Sequence, residues 1–173
     1  MRPLLWLSGF AAAGLSISAA MAQAAQPQGH SMPTIAGWTE TVTFPDYGIS
    51  LDAKLDTGAD SSSLGVTGLD RFKRQGKIWY RFTIAGEDGK TATIEQQTNR
   101  VARVMRAEVE DTRRPIVRLK ICLAGHEAET DFTLTDRSER RSQVLIGRRF
   151  LASRIVVDSG RTHLFPNRCE SGK

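Results

Sequence analysis

The run Ile49-Ser50-Leu51-Asp52-Ala53-Lys54-Leu55 alternates apolar and polar residues, which predicts a half-buried strand with Ile49, Leu51, Ala53 and Leu55 on one face. Thr39 to Phe44 alternates in the same way, and Pro45-Asp46-Tyr47-Gly48 reads as the turn between the two. Downstream, Lys77 to Ile84 and Lys90 to Glu95 read as a hairpin bent at Ala85-Gly86-Glu87-Asp88-Gly89. Val101 to Val109, Pro115 to Leu123 and Ala128 to Leu134 read as further strands, with turns at Asp111-Thr112 and Ala124-Gly125. Val144-Leu145-Ile146 stops at Gly147 and enters a short helix over Arg148 to Ala152. Ile155-Val156-Val157 and Thr162-His163-Leu164 then close the chain as a hairpin bent at Ser159-Gly160. Short strands with frequent turns and one short helix near the C-terminus predict an all-β fold, a small closed β-barrel.

The N-terminus departs from this pattern. Met1-Arg2-Pro3 is a short basic start, Leu4 to Ala20 is apolar and small, and Ala20-Met21-Ala22 is a small-x-small cleavage site. The expectation is a signal peptide over 1–22, with an uncleaved membrane anchor as the alternative. A flexible lead-in at 23–36, one folded domain at 37–166 and a tail at 167–173 would follow, in a protein exported to the periplasm or secreted. No later apolar run approaches membrane-spanning length, so the mature form is not expected to span a bilayer. The 173 residues suffice for one core. The net charge of +5 gathers in runs such as Arg71-Phe72-Lys73-Arg74, Arg113-Arg114 and Arg137 to Arg141. Without a nucleic-acid motif these read as solvated faces, and nucleic acid is not an expected partner. In an oxidising compartment the two cysteines, Cys122 and Cys169, suggest one disulfide, with two unpaired thiols as the alternative.

The candidate chemistry sits where the Ile49 strand ends. It runs into Asp56-Thr57-Gly58, placing a carboxylate at a strand tip beside bare backbone. On its own, this triplet also fits an ordinary strand-ending turn. A carboxylate activates water when a second one shares its proton, since two like charges about 3 Å apart push their pKa values apart. Asp158-Ser159-Gly160 is a possible second motif, but the short tail after it contains no apolar strand ending in Gly, so it reads as a hairpin bend. The three histidines, His30, His126 and His163, form no His-Glu-x-x-His pair, and the cysteines lack Cys-x-x-Cys spacing. Gly89-Lys90-Thr91 looks like the end of a phosphate loop, yet the earlier Gly such a loop needs would fall at Ile84. Neither metal nor cofactor is expected.

Asp56-Thr57-Gly58-Ala59-Asp60 followed far downstream by Leu145-Ile146-Gly147-Arg148 resembles the retropepsin-like aspartic peptidases. Gly37-Trp38, Ala53 to Ala59, Trp79-Tyr80-Arg81-Phe82, Arg113-Arg114-Pro115-Ile116-Val117, Phe132 to Arg137 and Leu145 to Arg148 occur in that order. Together, over about residues 37 to 165, they resemble more closely the bacterial RimB-like family, long labelled ATP-dependent zinc proteases. The resemblance implies a retropepsin-like barrel and an aspartic endopeptidase acting on a peptide or protein substrate. It also implies a homodimer to which each chain brings one Asp56. Asp56, Thr57 and Gly58 would be catalytic, with Thr57 hydrogen-bonding across the two-fold axis. Ala59 and Asp60 would line the substrate groove. Gly147 would be structural, and Arg148 would support the loop by pairing with Asp60. The flap candidate is Ala85 to Lys90, although Glu87 and Asp88 stand there in place of a Gly-rich tip. A barrel that binds peptides or an envelope partner without cleaving them is the alternative.

Overall fold

The computed structural model describes residues 32–166 except 107, 108, 136 and 138–141. The described residues hold twelve strands: β1 (Thr34–Gly37), β2 (Thr39–Phe44), β3 (Ile49–Leu55), β4 (Ser62–Gly65), β5 (Thr67–Arg74), β6 (Lys77–Ala85), β7 (Thr91–Gln97), β8 (Val101–Arg106), β9 (Val109–Leu123), β10 (His126–Thr135), β11 (Val144–Ile146) and β12 (Ile155–Asp158). The helix α1 (Arg148–Leu151) is one turn long.

Alternation builds the barrel. Strands β10-β4-β11-β3-β2-β9 form a ring that β9–β10 pairing closes, and β8 adds to the outer edge of β9. The fold is all-β, a six-stranded closed barrel with one short helix, as the pattern predicts. Ile49, Leu51, Ala53 and Leu55 are all buried, while the residues between them are not. They meet Val42 and Phe44 from β2 and Phe132 from β10, whose ring lies 5.8 Å from that of Phe44. Burying a side chain of this size stabilises by about 1.5–3 kcal/mol, so the interior holds β3 in one register. A second, three-stranded sheet, β5-β6-β7, lays Phe82, Ile84 and Ile94 against the same core.

Four expectations need correction. Thr34, Ile35 and Ala36, the end of the expected flexible lead-in, belong instead to strand Thr34–Gly37, whose backbone pairs in parallel with β12. Thr67–Arg74, where the pattern predicts no element, is a strand; its side chains are almost all exposed, so no apolar alternation marks it. Asp111 and Thr112 do not turn, since β8 supplies a ladder partner for Thr112 and β9 runs straight through. Residues 155–164 form no hairpin: β1 takes the partner edge of β12, and the segment after β12 hangs on Trp38 and the start of β2 instead. There, Trp38 N–H donates to the Arg161 carbonyl and His163 N–H to that of Thr39. Gly37 makes the approach possible, for a Cβ there would stand 2.5 Å from the Arg161 oxygen.

Candidate active site

Asp56 is the first residue past β3, and three strands fix its position. β11 runs parallel to β3 with Ile146 beside Leu55, and the Asp56 N–H donates to the Ile146 carbonyl at 2.8 Å. On the other flank the Leu55 N–H donates to the Trp38 carbonyl at 2.9 Å. Past β11, Gly147 presses on the turn, and a Cβ there would lie 2.6 Å from the Ser61 backbone. Its N–H donates to Ser62 Oγ at the start of β4. Only a residue without a side chain lets the two segments meet so closely.

Within the turn, the Gly58 N–H donates to Asp56 Oδ1 at 3.0 Å. Arg148 acts on backbone: its Nη1 donates to the carbonyls of Thr57 at 3.0 Å and Gly58 at 2.9 Å, and its own N–H donates to the Ala59 carbonyl. The expected Arg148–Asp60 pair is long at 4.0 Å, and the close partner of Asp60 is Arg149 at 2.7 Å. Thr57, Gly58 and Asp60 are exposed and Ala59 is half-buried, so the whole turn faces solvent.

Lys54 Nζ stands 3.3 Å from Asp56 Oδ2. Burial by itself would raise the Asp56 carboxyl. The Lys54 hydrogen bond and charge, with the Gly58 and Ala59 N–H groups, outweigh it and hold the carboxyl below its ordinary value. Lys54 and Arg149 are contacts that motif reading passed over. The signal for Lys54 was present, since residues two apart on a strand share a face.

Asp158 is occupied elsewhere. Its Oδ1 accepts from the Gly160 N–H at 2.8 Å and its Oδ2 from Arg161 Nε at 2.7 Å, a self-contained turn at the end of β12. The flap candidate is corrected too. The Glu87 N–H donates to the Ser50 carbonyl and Glu87 Oε1 accepts from the Asp52 N–H, so the tip fastens to the edge of β3 that short β11 leaves open. From Asp52 that is about 13 Å back along the strand from Asp56. Among the described residues no three His, Cys, Asp or Glu side chains converge as metal ligands would, and there is no free cysteine. Cys122 is buried in β9, whereas Cys169 lies outside the described residues, as do the expected leader and tail. No described helix is long and apolar enough to cross a membrane.

A family model described as "Retropepsin-like aspartic endopeptidase RimB" matches residues 35–168. The chain is 28% identical over 128 residues to a "Probable alpha-L-glutamate ligase" of Shewanella halifaxensis, and 26% identical to one of Desulfotalea psychrophila. Each match covers 72% of this chain and 28% of the ligase, so the chain corresponds to little more than a quarter of those relatives. A crystal structure of a Legionella pneumophila protein with unknown function is similar at a TM-score of 0.61 and 29% identity. That likeness covers 76% of this chain and 97% of the other.

Proposed function

Because this chain belongs to the RimB-like family of retropepsin-like aspartic endopeptidases, we propose that it hydrolyses peptide bonds as a homodimer with one Asp56 from each subunit. One observation carries the reading: a partly exposed carboxylate on a turn clamped by β11 and Arg148, with Asp158 already engaged by Arg161. A single chain then offers one carboxylate where the chemistry needs two. The exposed apolar side chains support a partner beside the site. Ile35 and Val156, neighbours across β1–β12, are 55% and 52% exposed, and Trp38, whose carbonyl holds Leu55, is 43% exposed.

In the proposed reaction the two carboxylates hold one proton and one water between them. The ionised carboxylate takes a proton from the water as its oxygen attacks the scissile carbonyl carbon, and the protonated one gives its proton to the carbonyl oxygen. Collapse of the tetrahedral diol breaks the C–N bond, with a proton passing to the leaving nitrogen. The two pKa values belong to the pair, not to either chain. Thr57 is the contact across the axis, and Ala59 and Asp60 edge the groove. The proposal includes export behind a leader at 1–22 and a Cys122–Cys169 bridge suited to an oxidising compartment.

A second reading is a peptide-binding module without cleavage. It is favoured by the ligase relatives, in which the matched region is a part of a longer chain. A diverse peptide library assayed at acid and neutral pH separates the two. The peptidase reading expects cleavage that a statine-type transition-state mimic stops and EDTA does not. Binding without any cleavage would favour the module, and loss of activity in EDTA that zinc restores would sink both.

A further inference from the structure

Lys54 is in contact with the carboxylate on which the proposed reaction turns, yet the clamp on the Asp56 turn does not use it. Ser50, Asp52 and Lys54 share the polar side of β3, because side chains two apart on a strand point the same way, and Asp56 follows where the strand ends. Each neighbouring charge on that side has its own partner. Asp52 faces His163 at 2.9 Å, with the Glu87 carboxylate on the Asp52 N–H. Arg148 spends its guanidinium on the Thr57 and Gly58 carbonyls, Arg149 on Asp60, and Arg161 on Asp158. Among the described residues the Lys54 ammonium is thus the cation that meets Asp56, at 3.3 Å, with side-chain exposures of 49% and 26%. An ion pair this wet adds little to stability, so holding the fold together is a poor account of it.

We propose that Lys54 is a positioning residue for the reaction proposed above, one that sets the pH window in which the Asp56 pair carries its single shared proton. The inference rests on that reading. A dyad works while it holds one proton: activity rises with pH as the first proton leaves and falls as the second leaves. An ammonium alongside favours every deprotonated form, so it moves both limits to lower pH. It also leaves the singly protonated site with a positive surround, which binds water oxygen and carbonyl oxygen by their negative ends. Removing the charge while keeping the stem should move both limits up together.

The test is the pH profile of kcat/KM for wild type, Lys54→Met and Lys54→Arg. For Lys54→Met we expect about two- to fivefold more activity than wild type on the alkaline side of the optimum and a similar loss on the acid side, the factor an exposed ion pair supplies. Lys54→Arg should return both limbs to their wild-type positions. A Lys54→Met enzyme weakened at every pH with its limbs unmoved would overturn the proposal, because a merely structural lysine behaves so. If wild type cleaves no peptide, the peptidase reading fails by itself. The contact is then judged by carbon-13 NMR of the Asp56 carboxyl, assigned by its loss in Asp56→Asn. Titration at lower pH in wild type than in Lys54→Met upholds the electrostatic coupling, and identical titrations refute it.

Discussion

Asp56, Gly147 and Arg148 act as a unit, in which the carboxylate is aimed by contacts that are mostly backbone. Asp56→Asn should abolish cleavage and leave the unfolding midpoint nearly unchanged. The amide keeps the volume and the exposed pair with Lys54 contributes only about 0.2–1 kcal/mol; activity assays beside urea denaturation check this. Gly147→Ala should lower stability, by about 1–3 kcal/mol, through overpacking against Ser61 and displacing the turn. A Gly147→Ala protein as stable as wild type would mean that the close approach is not the reason for the glycine. Arg148→Gln removes two donors from the loop carbonyls, and kcat should fall more than KM rises, since what is lost is the aim of the turn.

At the scale of elements, the C-terminal segment is held by a carboxylate inside the protein. Glu40 is 1% exposed and accepts from the N–H groups of Gly37, Leu164 and Phe165. Glu40→Ala would leave the buried Gly37 donor and two part-buried ones without their acceptor, and should cost about 1–3 kcal/mol for the buried one, read as a lowered denaturation midpoint. Nearby, the hydrogen bond to Asp52 raises the His163 imidazole above its ordinary 6.5 against the opposing effect of burial. A raised imidazole stabilises fully below 6.5 and ceases to do so as pH climbs through its folded value. This exposed pair should therefore lend at most about 1 kcal/mol in acid, absent in alkali and in Asp52→Asn. Strands whose one face enters the core, such as β2 and β3, were legible to the residue because alternation is the imprint of a half-buried sheet. β5 was not legible, since both its faces meet water and its residues carry no alternation. The ends were misread for a different reason: β1 and β12 pair with each other from opposite ends of the folded domain, and no local pattern announces a partner that distant. At the site, Asp56, Gly147 and Arg148 were visible as motif residues. Arg149 was hidden because the choice between two adjacent arginines depends on the angle of α1.

At the scale of the molecule, one barrel presents a solvent-facing carboxylate turn, and Trp38, whose carbonyl holds Leu55, is exposed along with the β1–β12 neighbours Ile35 and Val156. In the proposed dimer a second copy lies against that turn, supplying the missing carboxylate and covering the apolar side chains. Trp38→Glu would set a charge in such an interface and should weaken dimerisation and activity together, with the monomer still folded. The decisive measurement is specific activity against protein concentration, with sedimentation run on the same samples and wild type then mixed with excess Asp56→Asn. A site shared between subunits requires activity to fall faster than linearly on dilution as dimer dissociates, and the inactive chain to poison the enzyme once subunits exchange. A protein that sediments as monomer at full specific activity, indifferent to added Asp56→Asn, would rule the shared site out.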